Sequence, residues 1–510
     1  MSTSRLEKRK PQQQTRVMKT LKIVLFLIFL FITGFMNYLT LTEGHNWGGD
    51  FSSYIMQAKS LVHGTTKDFV KSSKFTVENS THPISPIAYP WGFPMLLAPV
   101  YALYGLNLIP LKIPGLLCFE LFLIVGFYLF RTRVSFTGVL LILSFCAFNP
   151  AIVTYHDNIV SDIPFLFLST FSIFLIDKII MSDTRFISKA ADPILVGLSI
   201  FMASFVRTNG IILFPLVFIC QTIQLLTKRR RPSLHRNFWD FYAFALPHIS
   251  FALLYFLAWL SFPKDEISRI TLLYECATST LAENTWQILR LPAVFFSQLP
   301  IERSILYGIS CIFCILGVRQ TIKRDYHFLL YIVFTMTLYS LWGGWDIRYL
   351  FPILPFYSYF LYKGLLSVRL GSSRFRKNFG YWLAYCSYGF VLTFFLIFSS
   401  TYAYANIYHE KKLAGSFEPV SIEMYRLIKK YTTPDDVIIF FKPRVLRMLT
   451  DRKALLISEP ASLHKGDYLV LHKSFADYDQ VDPAKPESYR NNIYESPMYE
   501  NAKFIIYKIR

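Results

Sequence analysis

Residues 21–64 read LKIVLFLIFLFITGFMNYLTLTEGHNWGGDFSSYIMQAKSLVHG. The first half is an apolar run of about twenty residues, long enough to cross a hydrocarbon core about 30 Å thick as a helix. Arg5, Lys8, Arg9, Lys10, Arg16, Lys19 and Lys22 precede or open it. It is too long for the core of a secretory signal, and no small-x-small cleavage pattern follows, so the expectation is an uncleaved first span with a cytoplasmic N-terminus. The second half turns polar at Thr42, passes the pair Gly48-Gly49, and sets Asp50 at the head of a helix-like stretch that stops at Gly64.

Runs like the first recur as far as Ala405. The chain of 510 residues is 53% hydrophobic and 17% charged, too apolar for an ordinary soluble domain. Its formal net charge of +20 does not read as a nucleic-acid surface, because the basic residues form short clusters between apolar runs and not one stripe with interleaved aromatics. Such clusters mark cytoplasmic loops. Arg131 and Arg133, then Lys178, Arg185 and Lys189, then Lys228 to Arg236, Arg319 to Arg324, and Arg369 to Lys377 are expected inside. The long first loop, the turns at Tyr155 to Asp162, Arg207 and Asp346, the acidic loop Lys264 to Glu302 and the C-terminal region fall outside. This sorting holds if the apolar segment Pro90 to Gly105, broken by Pro94 and Pro99, lies in the interface or re-enters.

The expected architecture is therefore an all-α polytopic membrane domain of about eleven transmembrane helices over residues 1–405, with residues 41–90 as its first outer loop. A small extracytoplasmic α/β domain follows over residues 406–510. In that domain Ile422 to Tyr431 has a helical period, and Val437 to Phe441, Tyr468 to His472 and Lys503 to Ile509 read as strands. Cys118, Cys146, Cys220, Cys311, Cys314 and Cys386 fall within apolar spans and only Cys276 in an outer loop, a distribution against a disulfide framework or a zinc site. Glu120 is the one acid deep in a span, with no obvious partner.

Ionisable residues at a membrane boundary are costly enough to be functional candidates. A carboxylate at Asp50 can take a proton from an attacking hydroxyl; the competing reading is a helix cap. The turn Tyr155-His-Asp157-Asn-Ile-Val-Ser-Asp162 holds two more acids, Asp157 and Asp162, to bind an acceptor or position Asp50, or again to cap. Arg207 and Arg348 stand at outer boundaries with guanidinium forks suited to phosphate oxygens, although an Arg at a helix end also snorkels to the interface. Tyr54, Tyr89, Trp91, Trp342 and Trp345 are placed to stack on sugar or isoprenoid, or to form an aromatic belt.

Five stretches in order, GGDFSSYIMQAKSLVHG (48–64), AYPWGFPMLLAPVYALYG (88–105), SDIPFLFLS (161–169), VRTNG (206–210) and RYLFPILP (348–355), together with the polar tail, resemble the GT-C superfamily of polyprenyl-phosphate-sugar-dependent glycosyltransferases. The resemblance is to the branch of protein O-mannosyltransferases and the aminoarabinose transferase. It implies that Asp50 is the catalytic acid of the first loop and Asp162 that of the second, with Tyr89-Pro90 opening a YPPG-like stretch. Trp91 stands where a second Pro is common, and the Lys of aminoarabinose transferases is missing here. That weakens aminoarabinose as the donor sugar and leaves hexose, pentose or mannose open.

The implied partners are a polyprenyl-phosphate sugar and a glycolipid, glycan or protein acceptor, in a bacterial inner membrane. No cofactor is expected, with a divalent metal left open; a DxD motif and a Gly-rich nucleotide loop are both missing. A transporter or flippase of lipid-linked glycans is the competing class, disfavoured by ionisable residues gathered at one face and not at the midplane. A non-catalytic scaffold explains the tail but not acids in two separate outer turns.

Overall fold

The computed structural model describes residues 3–81, 86–182, 184–229, 238–263, 281–296, 300–343, 345–368, 378–408, 415–474, 479–494 and 496–510. Cys276, residues 264–280 of the acidic loop, and the basic segments 230–237 and 369–377 lie outside them. In order the helices are α1 (Thr3–Leu39), α2 (Asp50–His63), α3 (Thr66–Asn79), α4 (Gly92–Tyr104), α5 (Leu108–Phe130), α6 (Phe136–Ala147), α7 (Pro150–His156) and α8 (Asp162–Leu175). A π-helical turn, Ile176–Met181, extends α8. Then come α9 (Ala191–Val206), α10 (Leu213–Arg229), α11 (Phe238–Ser261), α12 (Leu281–Arg290), α13 (Pro300–Trp342), α14 (Leu354–Ser367), α15 (Phe379–Tyr408), α16 (Pro419–Tyr431) and α17 (Pro443–Thr450).

The chain is an integral membrane protein built as a helical bundle, but the expectation of about eleven spans needs correction. Among the described residues seven helices are long and apolar enough to cross a membrane, and the number reaches eight when α6 and α7, bent by 59° at their junction, are taken as one span. Apolar content overcounts because it does not see where a helix breaks. Asn149-Pro150 separates α6 from α7, since the Asn149 side chain caps α7 and Pro150 opens it. Arg207, in extended conformation, stops α9 at 16 residues. α13, which carries the apolar runs 305–318 and 328–341, is two helices that meet at a kink at Asp325, where the backbone is non-helical, and counts once among the seven. Pro90 to Gly105 forms the 13-residue α4, about 20 Å long at 1.5 Å per residue and too short to cross. Glu120 finds a partner after all, since the Thr33 hydroxyl lies 3.2 Å from its Oε1.

Close helix packing positions the arginines. A Cβ on Gly317 of α13 would fall on the Phe360 carbonyl oxygen of α14, and one on Gly364 of α14 on that of Phe313. Only glycine permits this approach, as in many membrane helix pairs. The 3-10 segment Ile347–Ile353 that joins the two helices is thereby held against α8 and carries Arg348. At Gly92 a Cβ would stand 2.6 Å from the Phe205 carbonyl oxygen, so the start of α4 is pressed against the end of α9, next to Arg207.

The C-terminal region holds a five-stranded mixed sheet of order β2-β1-β3-β5-β4, with β1 Val437–Ile439, β2 Lys453–Leu455, β3 Tyr468–His472, β4 Tyr499–Glu500 and β5 Phe504–Lys508. β1 runs parallel to β2 and β3, and β5 antiparallel to β3 and β4. β1, β3, β5 and the helix α16 match the sequence reading; β2, β4 and α17 were not foreseen. One face of the sheet, with Phe440, Val470 and Phe504, joins the core of the bundle, while Ile439, Leu469 and Leu471 form a separate cluster on the other. Trp47 of the first loop closes the junction, its ring 4.9 Å from Phe441 and 5.8 Å from Phe440.

Candidate active site

α2 begins after the glycine pair, with Gly49 at the cap position and no side chain capping it. Asp50, the first helical residue, does not spend its carboxylate on the helix. Its Oδ1 accepts a hydrogen bond of 2.6 Å from the Tyr89 hydroxyl and its Oδ2 one of 3.0 Å from Arg348 Nη1. The side chain remains 30% exposed, so a hydroxyl from outside can reach it. Burial by itself would raise the Asp50 pKa; Arg348, the Tyr89 hydrogen bond and Arg444 outweigh it and hold the carboxyl below its usual value.

Arg348 gathers three acids. Besides Asp50, Asp346 Oδ2 lies 3.1 Å from its Nε and Asp162 Oδ2 3.8 Å from its Nη1. Desolvation works against this guanidinium, but the three carboxylates reverse the effect and raise its pKa. Asp346 also accepts from the Tyr155 hydroxyl at 2.9 Å and caps the 3-10 segment through the Arg348 N–H at 3.1 Å. Among the described residues no group of three His, Cys, Asp or Glu side chains is arranged to hold a metal; the cation on which these acids converge is the guanidinium.

Asp162 heads α8 and is buried, 2% exposed, with its Oδ1 2.8 Å from Arg207 Nη1. Its Oδ2 has no hydrogen-bond partner among the described residues. Arg207 also donates to Ser161 Oγ at 3.2 Å, which in turn pairs with the Tyr54 hydroxyl at 2.8 Å. The Tyr349 ring lies under both guanidinium groups, 5.2 Å from that of Arg207 and 5.4 Å from that of Arg348. The Tyr54 and Tyr89 rings are 4.6 Å apart. Burial first, then the neighbouring Asp50, raises the Tyr89 pKa, so this phenol stays a donor.

Asp50, Asp162, Arg207, Arg348, Tyr54 and Tyr89 thus form one cluster. Asp157 does not join it. Its Oδ1 faces Lys112 Nζ at 2.7 Å and the Thr42 N–H at 2.6 Å, and its Oδ2 accepts from the Thr42 hydroxyl at 2.7 Å. Lys112 completes the clamp through the carbonyls of Thr42 and Gly44, each at 2.7 Å. A buried lysine needs a carboxylate, and the sequence did not show that α5 supplies such a lysine to the turn. Next to this clamp His45 Nε2 accepts the Ile159 N–H at 3.1 Å; burial and the charge on Lys112 push its pKa down to about 3, keeping it neutral.

Three contributors were not anticipated. Gln57, one helical turn past Tyr54, brackets the Tyr89 backbone, donating to its carbonyl at 2.9 Å and accepting its N–H at 3.1 Å. Asp346 was read only as part of a turn. Arg444, on α17, donates to the Tyr89 hydroxyl at 3.5 Å and to the Pro86 carbonyl. Trp91, considered for stacking, is buried between Phe69 and Phe262 and donates to the Pro263 carbonyl at 3.3 Å.

No protein-family model matches the chain, and no curated protein matches it in sequence. Solved structures do. ArnT from Cupriavidus metallidurans, bound to undecaprenyl phosphate, aligns with TM-score 0.58 at 12% identity over 95% of this chain and 97% of its own. The chain shares the fold of this structure. The Archaeoglobus fulgidus oligosaccharyltransferase, tethered with an acceptor peptide, aligns with TM-score 0.55 at 11% identity over 88% of this chain and 69% of its own. Its complex with an inhibitory peptide and a dolichol-phosphate gives TM-score 0.52 over the same shares. Both transferases match at similar levels, so the likeness establishes the fold and selects neither activity.

Proposed function

We propose that the chain is a membrane glycosyltransferase that moves a sugar from a polyprenyl-phosphate donor to an acceptor hydroxyl on the extracytoplasmic face, with inversion and with Asp50 as general base. The observation that carries this reading is the setting of Asp50: an accessible carboxylate, held by Tyr89 and sharing Arg348 with Asp346 and Asp162. The fold supports the reaction class, since structures of that fold were solved with undecaprenyl phosphate and with a dolichol-phosphate.

In the reaction the acceptor O–H gives its proton to Asp50 as its oxygen bonds to the anomeric carbon. The bond from that carbon to the phosphate oxygen breaks, and its electron pair leaves on the polyprenyl phosphate. Arg348 is the cation beside the base that can take up this charge. Arg207, paired with buried Asp162, holds that acid in place and reaches the donor less directly. A phosphate arriving at Arg348 draws the guanidinium's charge away from Asp50, so the carboxylate becomes a stronger base when the donor is bound. Asp50 and Asp162 therefore differ in role: the exposed acid meets the acceptor, and the buried one orients the arginines.

The donor sugar in this reading is a hexose, pentose or mannose, the acceptor a glycolipid, glycan or protein, and the setting a bacterial inner membrane with residues 406–510 outside. Transfer of labelled sugar from purified undecaprenyl-phosphate and dolichyl-phosphate donors in vesicles tests it, wild type against Asp50→Asn. Loss of transfer in the variant supports the base; undiminished transfer removes Asp50 from the mechanism. Lipid flipping without transfer favours a flippase.

A further inference from the structure

α17 belongs to the C-terminal region, yet it is wedged against α2 and α3 of the first loop. Pro443 opens it, Asp451 ends it in the left-handed conformation at φ 56°, and nearly all of it is buried. Two arginines one helical turn apart point into the first loop, both 6% exposed. They do different things there. Arg447 reaches the hydroxyls of Ser72, Ser73 and Thr76 on α3, at 2.7, 3.4 and 3.2 Å. Arg444 reaches the segment that carries Tyr89: it donates to the Pro86 carbonyl and to the Tyr89 hydroxyl, and its guanidinium lies 5.6 Å from the centre of the Tyr89 ring.

An arginine cannot discharge itself by losing a proton, so burying one is costly and its partners matter. Bonds to α3 hydroxyls make Arg447 a fastener. The Tyr89 hydroxyl, in contrast, has one proton and two lone pairs. With Arg444 donating to the oxygen, the phenolic proton is directed at the other neighbour, Asp50 Oδ1, 2.6 Å away. Gln57 fixes the Tyr89 backbone from the opposite side, so ring, oxygen and proton are all constrained.

We propose that Arg444 is a positioning residue of the active site: it orients the Tyr89 hydroxyl toward Asp50 and thereby makes the state of that carboxylate depend on the C-terminal region being docked. The inference rests on the reading of Asp50 as the base. The other charged or titratable groups around Asp50 are Arg348, with Asp162 and Asp346 behind it, and Tyr54, His45 and Lys442. Arg444 is among the groups that lower the Asp50 pKa, so its removal makes the carboxyl easier to protonate.

The test uses the full chain in detergent, labelled with 13C at aspartate carboxyls, the Asp50 signal identified by its loss in Asp50→Asn. It is titrated from neutral pH downward until the Asp50 signal of each protein has passed its midpoint. Wild type is expected to titrate below an ordinary carboxyl. In Arg444→Gln the midpoint moves to higher pH. Arg444→Lys recovers part of the difference, and Arg447→Gln, which loosens the same helix without touching Tyr89, leaves the midpoint where it was. An unchanged Asp50 signal in Arg444→Gln overturns the proposal, as does an equal shift in Arg447→Gln, which would reduce Arg444 to a docking contact. The titration needs neither donor nor acceptor, so it fails separately from the transfer assay: if Asp50→Asn transfers normally while the shift is seen, the base assignment falls and the Arg444–Tyr89–Asp50 link stands.

Discussion

The Asp50 carboxylate and the Arg348 guanidinium meet at 3.0 Å although 298 residues of chain separate them. One opens α2 and the other sits in the 3-10 turn before α14, so the pair exists only when the first loop closes over the end of the bundle. Its chemistry comes from sharing. Arg348 divides itself among three acids, and in the proposed reaction a phosphate competing for it would change the basicity of Asp50.

Asp50→Asn keeps the size of the side chain and removes the proposed base. Transfer is expected to fall by about 10²–10⁴-fold, the usual contribution of a positioned general base. Thermal unfolding in detergent should change little, because the amide can still accept from Tyr89. A fall in melting temperature matching the loss of activity would mean the residue is structural.

The pH dependence has a defined sign. Asp50 has a folded-state pKa below its unfolded value, so the stability it contributes is present above the unfolded pKa and is lost as pH falls through the folded one. With Asp50 as the proposed base, activity is expected to need the ionised form, which places the acid limb of kcat/KM below the range of an ordinary carboxylate. Tyr89→Phe deletes one of the groups that lower this pKa, and the limb should move to higher pH. No movement in a pH series of the two proteins would remove the Tyr89 hydrogen bond from the account.

Arg207→Ala leaves Asp162 buried without its 2.8 Å partner. Removing one member of a buried ion pair costs about 3–5 kcal/mol, to be read as a lower unfolding temperature. Adding Asp162→Asn to that variant should recover much of the loss, since the second change neutralises the stranded charge. Additive losses would show that the two residues act independently.

Lys112 and Asp157 form a second buried pair that ties the start of the first loop to the turn before α8. Lys112→Met is expected to lower both stability and transfer, with a larger effect than breaking the exposed pair Lys59–Asp451. The latter is open to solvent on both sides, and its loss should cost less than about 1 kcal/mol. Equal unfolding temperatures for the two variants would deny the clamp its importance.

Gly364→Ala adds a methyl group where α14 meets the Phe313 carbonyl of α13. Overpacking of this kind costs about 1–3 kcal/mol. Because the same helix pair carries Arg348 between its members, transfer should fall more steeply than stability does. Activity retained at a lowered melting temperature would separate this contact from the site.

The sequence by itself determined that the chain is a membrane protein, because apolar runs of spanning length are a local property. It also pointed to Asp50, Asp162, Arg207 and Arg348, since a charged residue at the edge of such a run is conspicuous wherever the chain later goes. Strand β3 and helix α16 were legible for the same reason: their periodicity lies within a few residues. The number of spans was not, because helix continuity depends on where Asn149-Pro150, Arg207 and Asp325 break the backbone, and hydropathy averages over such points. Partners were not legible either. Whether a carboxylate meets a substrate, a lysine or an arginine depends on which distant segments pack together. Tertiary structure alone diverted Asp157 to Lys112, brought Asp346 beside Arg348, and set Gln57 and Arg444 on either side of Tyr89. Electrostatic pairing acts over a few ångströms, and those ångströms are spanned only after the helices and the C-terminal sheet have closed around the first loop.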